Sequence, residues 1–246
     1  MADSAVPVGG SVYASSTNEV PTPRSILRRL SIIGGTTAAV YAAYVGVTRA
    51  RYGHPHSSTH EDADPLLDRF MPAYEIAERH QIRVRAPAET TFAAACRVDL
   101  QASPIVRAII KARELLLGSR PDASMRPVGV LAATKSMGWG VLAEVPGREV
   151  VMGAVTKPWE ADVVFRGLTP EEFAAFREPG YVKIAWTLRA DPVTPVESIF
   201  RSETRAVATD AAARARFRRY WSLLSPGIIV IRWLMLGPVK AAAEGR

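Results

Sequence analysis

The chemistry this chain could carry concentrates in one short stretch, "YEIAERHQIRV", residues 74–84. A period of two puts Glu78 and His80 with Ile82 and Val84 on one face of a strand, and Arg79, Gln81, Arg83 and Arg85 on the other. Alternate strand positions lie about 7 Å apart, so a carboxylate and an imidazole placed this way could serve one substrate as acid and base. The same residues also suit a structural role, pairing with a cation such as Arg201 or Arg205. Both readings stay open at this point.

Other reactive groups are sparse. Cys96 is the only cysteine, which excludes an intrachain disulfide, and beside Phe92 and several Ala it reads as a buried thiol. His54, His56, His60, Glu61 and Asp62 are of metal-ligand type, but "GHPHSSTHEDADP" reads as a solvated linker without the converging geometry a metal needs, so no metal is expected. Glu144 and Glu149 flank a hairpin turn and are expected to be solvated. No G-x-S-x-G, phosphate-binding loop, dinucleotide fingerprint or zinc spacing occurs, and no cofactor is expected.

The elements that must position these residues follow from pattern. Residues 1–26 are rich in Ser, Gly, Pro and Val and read as a disordered tail. Residues 27–52 contain an uncharged run, 30–48, flanked by Arg28 and Arg29 before and Arg49 and Arg51 after. As a helix that run spans about 28 Å, close to the thickness of a bilayer core, and the flanking Arg suit two interfaces. A membrane anchor helix over 27–52 is the expectation. An export signal opening on "RRLSII" and a soluble helix are the alternatives, the first weakened by the lack of an A-x-A cleavage site. Arg24, Arg28 and Arg29 slightly outweigh Arg49 and Arg51, which leans toward a single-pass protein with its body outside the cytoplasm. Residues 53–63 are the linker, and residues 64–246 one folded body.

Within the body, Pro87 opens one helix and Ser103 with Pro104 another, whose Ile105, Ile109, Ala112 and Leu116 form an apolar stripe. "WGVLAEVPGREVVMGAV" reads as a hairpin turning at Pro146 and Gly147, "ADVVFRG" as a further strand, and "TPEEFAAF" as a helix capped by Thr169. In "YVKIAWTLRA" Val182, Ile184, Trp186 and Leu188 alternate with Lys183, Thr187 and Arg189, the pattern of a half-buried strand. "ESIFRSETRAV" follows as a strand with Arg201, Glu203 and Arg205 on one side. Asp210 caps a helix in which Ala213, Phe217, Trp221 and Leu224 recur at helical spacing. Residues 227–239 are apolar but too short to span a bilayer, and read as a buried continuation of that helix beyond a kink at Pro226.

Strand, two short helices, five or six antiparallel strands and a long C-terminal helix make an α+β order that resembles the helix-grip fold of the START-like or SRPBCC (polyketide cyclase-like) superfamily. "YEIAERHQIRVRAPAETTFAAA" and "SETRAVATDAAARARFRRYWSLLSPGIIVIRWLMLGPVKAAAE" resemble the opening and the close of uncharacterised bacterial members. The resemblance implies a curved sheet gripping the last helix around a cavity, lined here by Ile82, Val84, Val182, Ile184, Trp186, Leu188, Phe217, Tyr220, Trp221 and Leu224. It leaves activity open, because this superfamily hosts carriers, receptors and enzymes.

The expected function is therefore a membrane-tethered binding domain whose cavity takes an apolar small molecule or lipid, without catalysis. The alternatives are a cyclase or dehydratase using Glu78 and His80, and a non-catalytic interaction scaffold. A net charge of +7 fits a protein held near anionic lipid, and without a reading motif nucleic acid is not an expected partner.

Overall fold

The structure, a computed structural model, describes residues 23–52, 56–57, 63–120 and 128–246, with backbone alone for residues 23–35 and 56–57. The chain divides into two units, Met1–Ala43 and Tyr44–Arg246. The first is described only through helix α1 (Pro23–Arg51), whose last turns belong to the second. Of the tail expected over residues 1–26, residues 1–22 lie outside the described ones and residues 23–26 are helical, the start of α1; the His and acid cluster at residues 54–62 lies outside the described side chains.

The body is an antiparallel five-stranded sheet in the order β3-β7-β6-β5-β4, with one long helix across one face. A two-residue strand β1 (His56–Ser57) pairs with β2 (Ala73–Tyr74) beside it, and the four-residue helix α2 (Pro65–Asp68) lies between them in sequence. Edge strand β3 (Ile76–Val84) leads into α3 (Ala88–Arg97) and α4 (Pro104–Leu117). Next come α5 (Val130–Ser136), the hairpin β4 (Gly140–Val145) and β5 (Glu149–Thr156), and α6 (Pro170–Ala175). The long strands β6 (Val182–Thr194) and β7 (Glu197–Ala208) close the sheet, and α7 (Ala211–Ala243) ends the chain. The expected α+β architecture is thus present, with five strands in the main sheet.

Local chemistry explains the joints. The β4–β5 turn needs Gly147, whose φ of 68° is a conformation that glycine adopts without strain. Thr169 accepts from the Glu172 amide while the Glu172 carboxylate accepts from the Thr169 amide, a complete capping box on α6. Asp210 accepts from the Ala213 amide at 2.9 Å to start α7. Gly227 lets α4 approach α7: a side-chain carbon there would meet the Ile109 Cγ2 at 2.8 Å.

The sheet buries both faces. On one, Val84, Trp186, Leu188 and Phe200 pack with Phe92 of α3 and with Met235, Leu236 and Val239 of α7. Further along, Ile76, Val182 and Ala206 pack with Phe217 and Trp221. The opposite face carries Val151, Val155 and Ala185 under Leu67, Phe70 and Phe173.

Four expectations need correction. "ADVVFRG" is not a strand: it makes a single bridge, Val155 to Arg166, because the chain only touches the β5 edge before turning into α6. β6 is not half-buried, since α2 and α6 cover its second face and leave Lys183 7% and Thr187 0% exposed. The α4 stripe is not a buried face: Ile105 and Leu116 are exposed and Val106 is the buried residue. Glu149 is buried rather than solvated, whereas Glu144 is exposed. Helix α5 had no counterpart in the sequence reading. α7 runs as one 33-residue helix with Pro226 and Pro238 inside it, and on length and composition alone it passes as a bilayer span. It is buried against the sheet near both of its ends.

Candidate functional site between the edge strand and the long helix

The register sets which side chains lie under α7. Glu78 lies opposite Thr204, which lies opposite Trp186; His80 lies opposite Ser202, which lies opposite Leu188. Directly opposed residues project to the same side, so these two cross-strand rows face α7 with Ile82, Val84, Val182 and Ile184. The charged alternates Arg79, Glu203 and Arg205 face away: Arg79 Nη2 stands 2.6 Å from Glu203 Oε2, and buried Arg205 donates to Glu203 at 2.6 Å and pairs with Asp68. Neither Arg201 nor Arg205 pairs with Glu78, because they occupy the other face.

Glu78 instead accepts a hydrogen bond from the Tyr52 hydroxyl at 2.7 Å. Tyr52 also stands edge-on to Trp221, centroids 6.0 Å apart. Burial, reinforced by the neighbouring Glu78, pushes the Tyr52 phenol well above its usual range. The end of α1 is fixed near by: Tyr44 and Ser225 share a hydrogen bond of 2.8 Å, Thr48 is buried, and Arg218 bonds to the Arg49 carbonyl. Tyr52, the residue after α1, is thus docked on the body.

His80 faces a different environment. Burial pushes its imidazole below the usual histidine value, Glu78 opposes that, and Arg232 pushes it further down. Arg232 projects from α7 over the Trp186 ring, 5.1 Å from the centroid, and burial lowers its guanidinium to about 10, which leaves it charged at neutral pH. Among the described residues no carboxylate pairs with it. Nearby, His80 Nε2, Ser202 Oγ and Thr204 Oγ1 are all buried without a hydrogen-bond partner among the described residues. Native interiors rarely leave such groups unpaired, and these three stand in adjoining rows beside a cation that has no carboxylate partner among the described residues. The arrangement offers a neutral imidazole, two hydroxyls and a guanidinium to oxygen-bearing groups, and an indole to an apolar body.

The expected cavity lining divides in two. Val84, Val182, Trp186, Leu188, Phe217 and Trp221 are buried in the core clusters, whereas Ile82, Ile184, Tyr220 and Leu224 are half-buried along the groove. Tyr52, Ser202, Thr204 and Arg232 were missed. Arg232 alone had a signal, as the single charge inside "GIIVIRWLML". Cys96 is half-buried, and burial raises its thiol to about 11, which leaves it unreactive at neutral pH.

No family model matches the chain, and no curated protein matches it. Among solved structures, a conserved protein from Geobacillus kaustophilus aligns over 69% of this chain and 96% of its own, with 9% identity and a TM-score of 0.31. The Zhui aromatase/cyclase from Streptomyces sp. R1128 aligns over 68% and 94%, with 11% identity and a TM-score of 0.23. CalC, a self-sacrificing resistance protein from Micromonospora echinospora, aligns over 63% and 93%, with 10% identity and a TM-score of 0.25. Likeness at this level assigns no family.

Proposed function

We propose that this protein is a membrane-tethered binding domain whose groove between β3, the sheet and α7 takes a small molecule with an apolar body and one or two oxygen-bearing groups. The observation that carries the reading is the set of buried atoms without a hydrogen-bond partner among the described residues, His80 Nε2, Ser202 Oγ and Thr204 Oγ1, beside Arg232 on Trp186, which has no carboxylate partner among them. A purely apolar lipid would leave all four unsatisfied, which narrows the expected ligand. The tether is the uncharged run 30–48 within α1, leaving the body on the outer side by the Arg balance. Two features support a lipid neighbourhood: α7 exposes Leu223, Val230 and Trp233, and the chain carries a net charge of +7.

A second reading has its own support. A neutral imidazole close to a fixed guanidinium is the pairing that removes a proton next to a carbonyl and holds the resulting oxyanion, so a cyclase or dehydratase step on an aromatic or polyketide-like substrate fits the same residues. Native mass spectrometry of the full chain, followed by organic extraction of whatever co-purifies, tests the binding reading. A stoichiometric oxygenated apolar compound supports it, whereas a clean ligand-free mass that also takes up no apolar fluorescent probe opposes it. With that compound in hand, His80→Gln separates the two readings: turnover lost with binding retained favours the enzyme.

A further inference from the structure

The back of the sheet holds a second pocket, of about 460 Å³, between the chain after α2, the end of α6 and the ends of β6 and β7. Three cations line it, Arg69, Arg177 and Lys183, and no carboxylate does. Its apolar lining is led by Phe70, Met71 and Phe176. Lys183 belongs to the face of β6 opposite Trp186, so the sheet itself separates this pocket from the groove under α7.

Lys183 is the unusual member. Only 7% of it is exposed, yet its ammonium donates to the Ala174 carbonyl at 3.2 Å and otherwise lies over the Phe173 ring, 4.9 Å from the centroid. An ammonium has three protons to donate, and among the described residues no carboxylate stands within ion-pair distance of it. Burial, with Arg177 adding to it, lowers the amine to about 8, the mark of a cation that its surroundings do not neutralise. Arg177 is held by two carbonyls, Ala174 at 2.9 Å and Phe176 at 2.7 Å, which keep its guanidinium at the same rim. Arg69 stacks on Phe70 at 5.7 Å across the mouth.

We propose that this pocket binds a small organic carboxylate with an apolar, ring-sized body. The carboxylate takes the free protons of Lys183 and is steered by Arg177 and Arg69, while the body lies on Phe70, Met71 and Phe176. The volume suits a drug-sized molecule and is too small for a protein segment of any length. The apolar walls, with a single buried ammonium, suit a monoanion with a body better than a free, strongly hydrated phosphate.

The test is isothermal titration of the full chain in detergent with 2-naphthoate, its neutral analogue 2-naphthamide, and inorganic phosphate. The expected result is a naphthoate site that depends on Lys183 and Arg177, and no such site for the amide. Lys183→Met should weaken naphthoate binding about tenfold or more, as for a charge-assisted hydrogen bond lost from a buried site. Arg177 is exposed, so Arg177→Met keeps the test meaningful if the Lys183 variant folds poorly; it should weaken binding about threefold, as for a partly screened charge. Arg107→Met, on the exposed side of α4 and outside both the pocket and the groove, should leave naphthoate binding unchanged, and Arg232→Met reports any further naphthoate taken by the groove. Equal binding of acid and amide, or wild-type affinity in both pocket variants, overturns the proposal. Loss confined to Arg232→Met, with both pocket variants at wild-type affinity, places the acid in the groove instead, and displacement by equimolar phosphate makes the pocket a plain oxyanion site; either also overturns it.

Discussion

The Arg232 guanidinium lies over the Trp186 ring at 5.1 Å, an α7 cation held against the centre of the sheet without a carboxylate partner among the described residues. Desolvating a charge costs several kcal/mol, and a contact with an indole returns about 2 kcal/mol. Such a residue weakens the fold it sits in.

Arg232→Met should therefore raise the urea midpoint, by the equivalent of about 1–2 kcal/mol, because a side chain of similar reach fills the site without a buried charge. Retention of a co-purified ligand should fall in the same variant. A lowered midpoint would show that the guanidinium stabilises the fold.

Ser202→Ala and Thr204→Val replace buried hydroxyls that have no partner among the described residues. Removing an unsatisfied polar group is neutral or favourable, so each ligand-free variant should match wild type within about 1 kcal/mol by chemical denaturation. A loss of 2 kcal/mol or more in either would mean that its hydroxyl is already bonded within the fold.

Tyr52→Phe keeps the ring on Trp221 and deletes the 2.7 Å bond to Glu78. The expected cost is about 1 kcal/mol, with faster trypsin cleavage after Arg51 as the end of α1 loosens. Cleavage at the wild-type rate would place the hold on α1 elsewhere, at Tyr44 and Ser225.

How much of this was legible in sequence varied with the range of the interaction. The period of two placed Glu78, His80 and Ile82 on the face of the long helix, and single-residue signals fixed the caps at Thr169 and Asp210. Those are local properties. "ADVVFRG" misled because its alternation is real but it meets β5 at a single bridge, Val155 to Arg166, and pairs no further. β6 looked half-buried because Lys183 and Arg189 are charged, and only tertiary packing of α2 and α6 covers them. Arg232 meeting Trp186 joins residues 46 apart in the chain, which no spacing rule reaches.

Glu149 makes stability fall with rising pH. Its carboxyl is raised from 4.5 to about 8, first by burial and then by neighbouring Asp64, with Arg189 opposing. A raised folded-state value means that the stabilisation is complete below pH 4.5 and is lost progressively as pH climbs to about 8. His80, held below its usual 6.5, acts in the opposite sense and removes stability as pH falls through that region. Comparing urea midpoints at pH 5 and pH 9 in wild type and in Glu149→Gln isolates the carboxyl, because His80 contributes to both proteins alike. Wild type should lose about 2–4 kcal/mol across that interval and Glu149→Gln much less; parallel curves would contradict the assignment.

The most direct test of the groove is a crystal structure of the full chain purified from its own host, at a resolution that shows ordered non-protein density. The account predicts continuous density between β3 and α7 within hydrogen-bond distance of His80 Nε2, Ser202 Oγ and Thr204 Oγ1, with its apolar portion beside Trp186. It would be contradicted by a groove in which those three atoms bond to one another or to the backbone, Arg232 turns out to solvent, and side chains of α7 close the space.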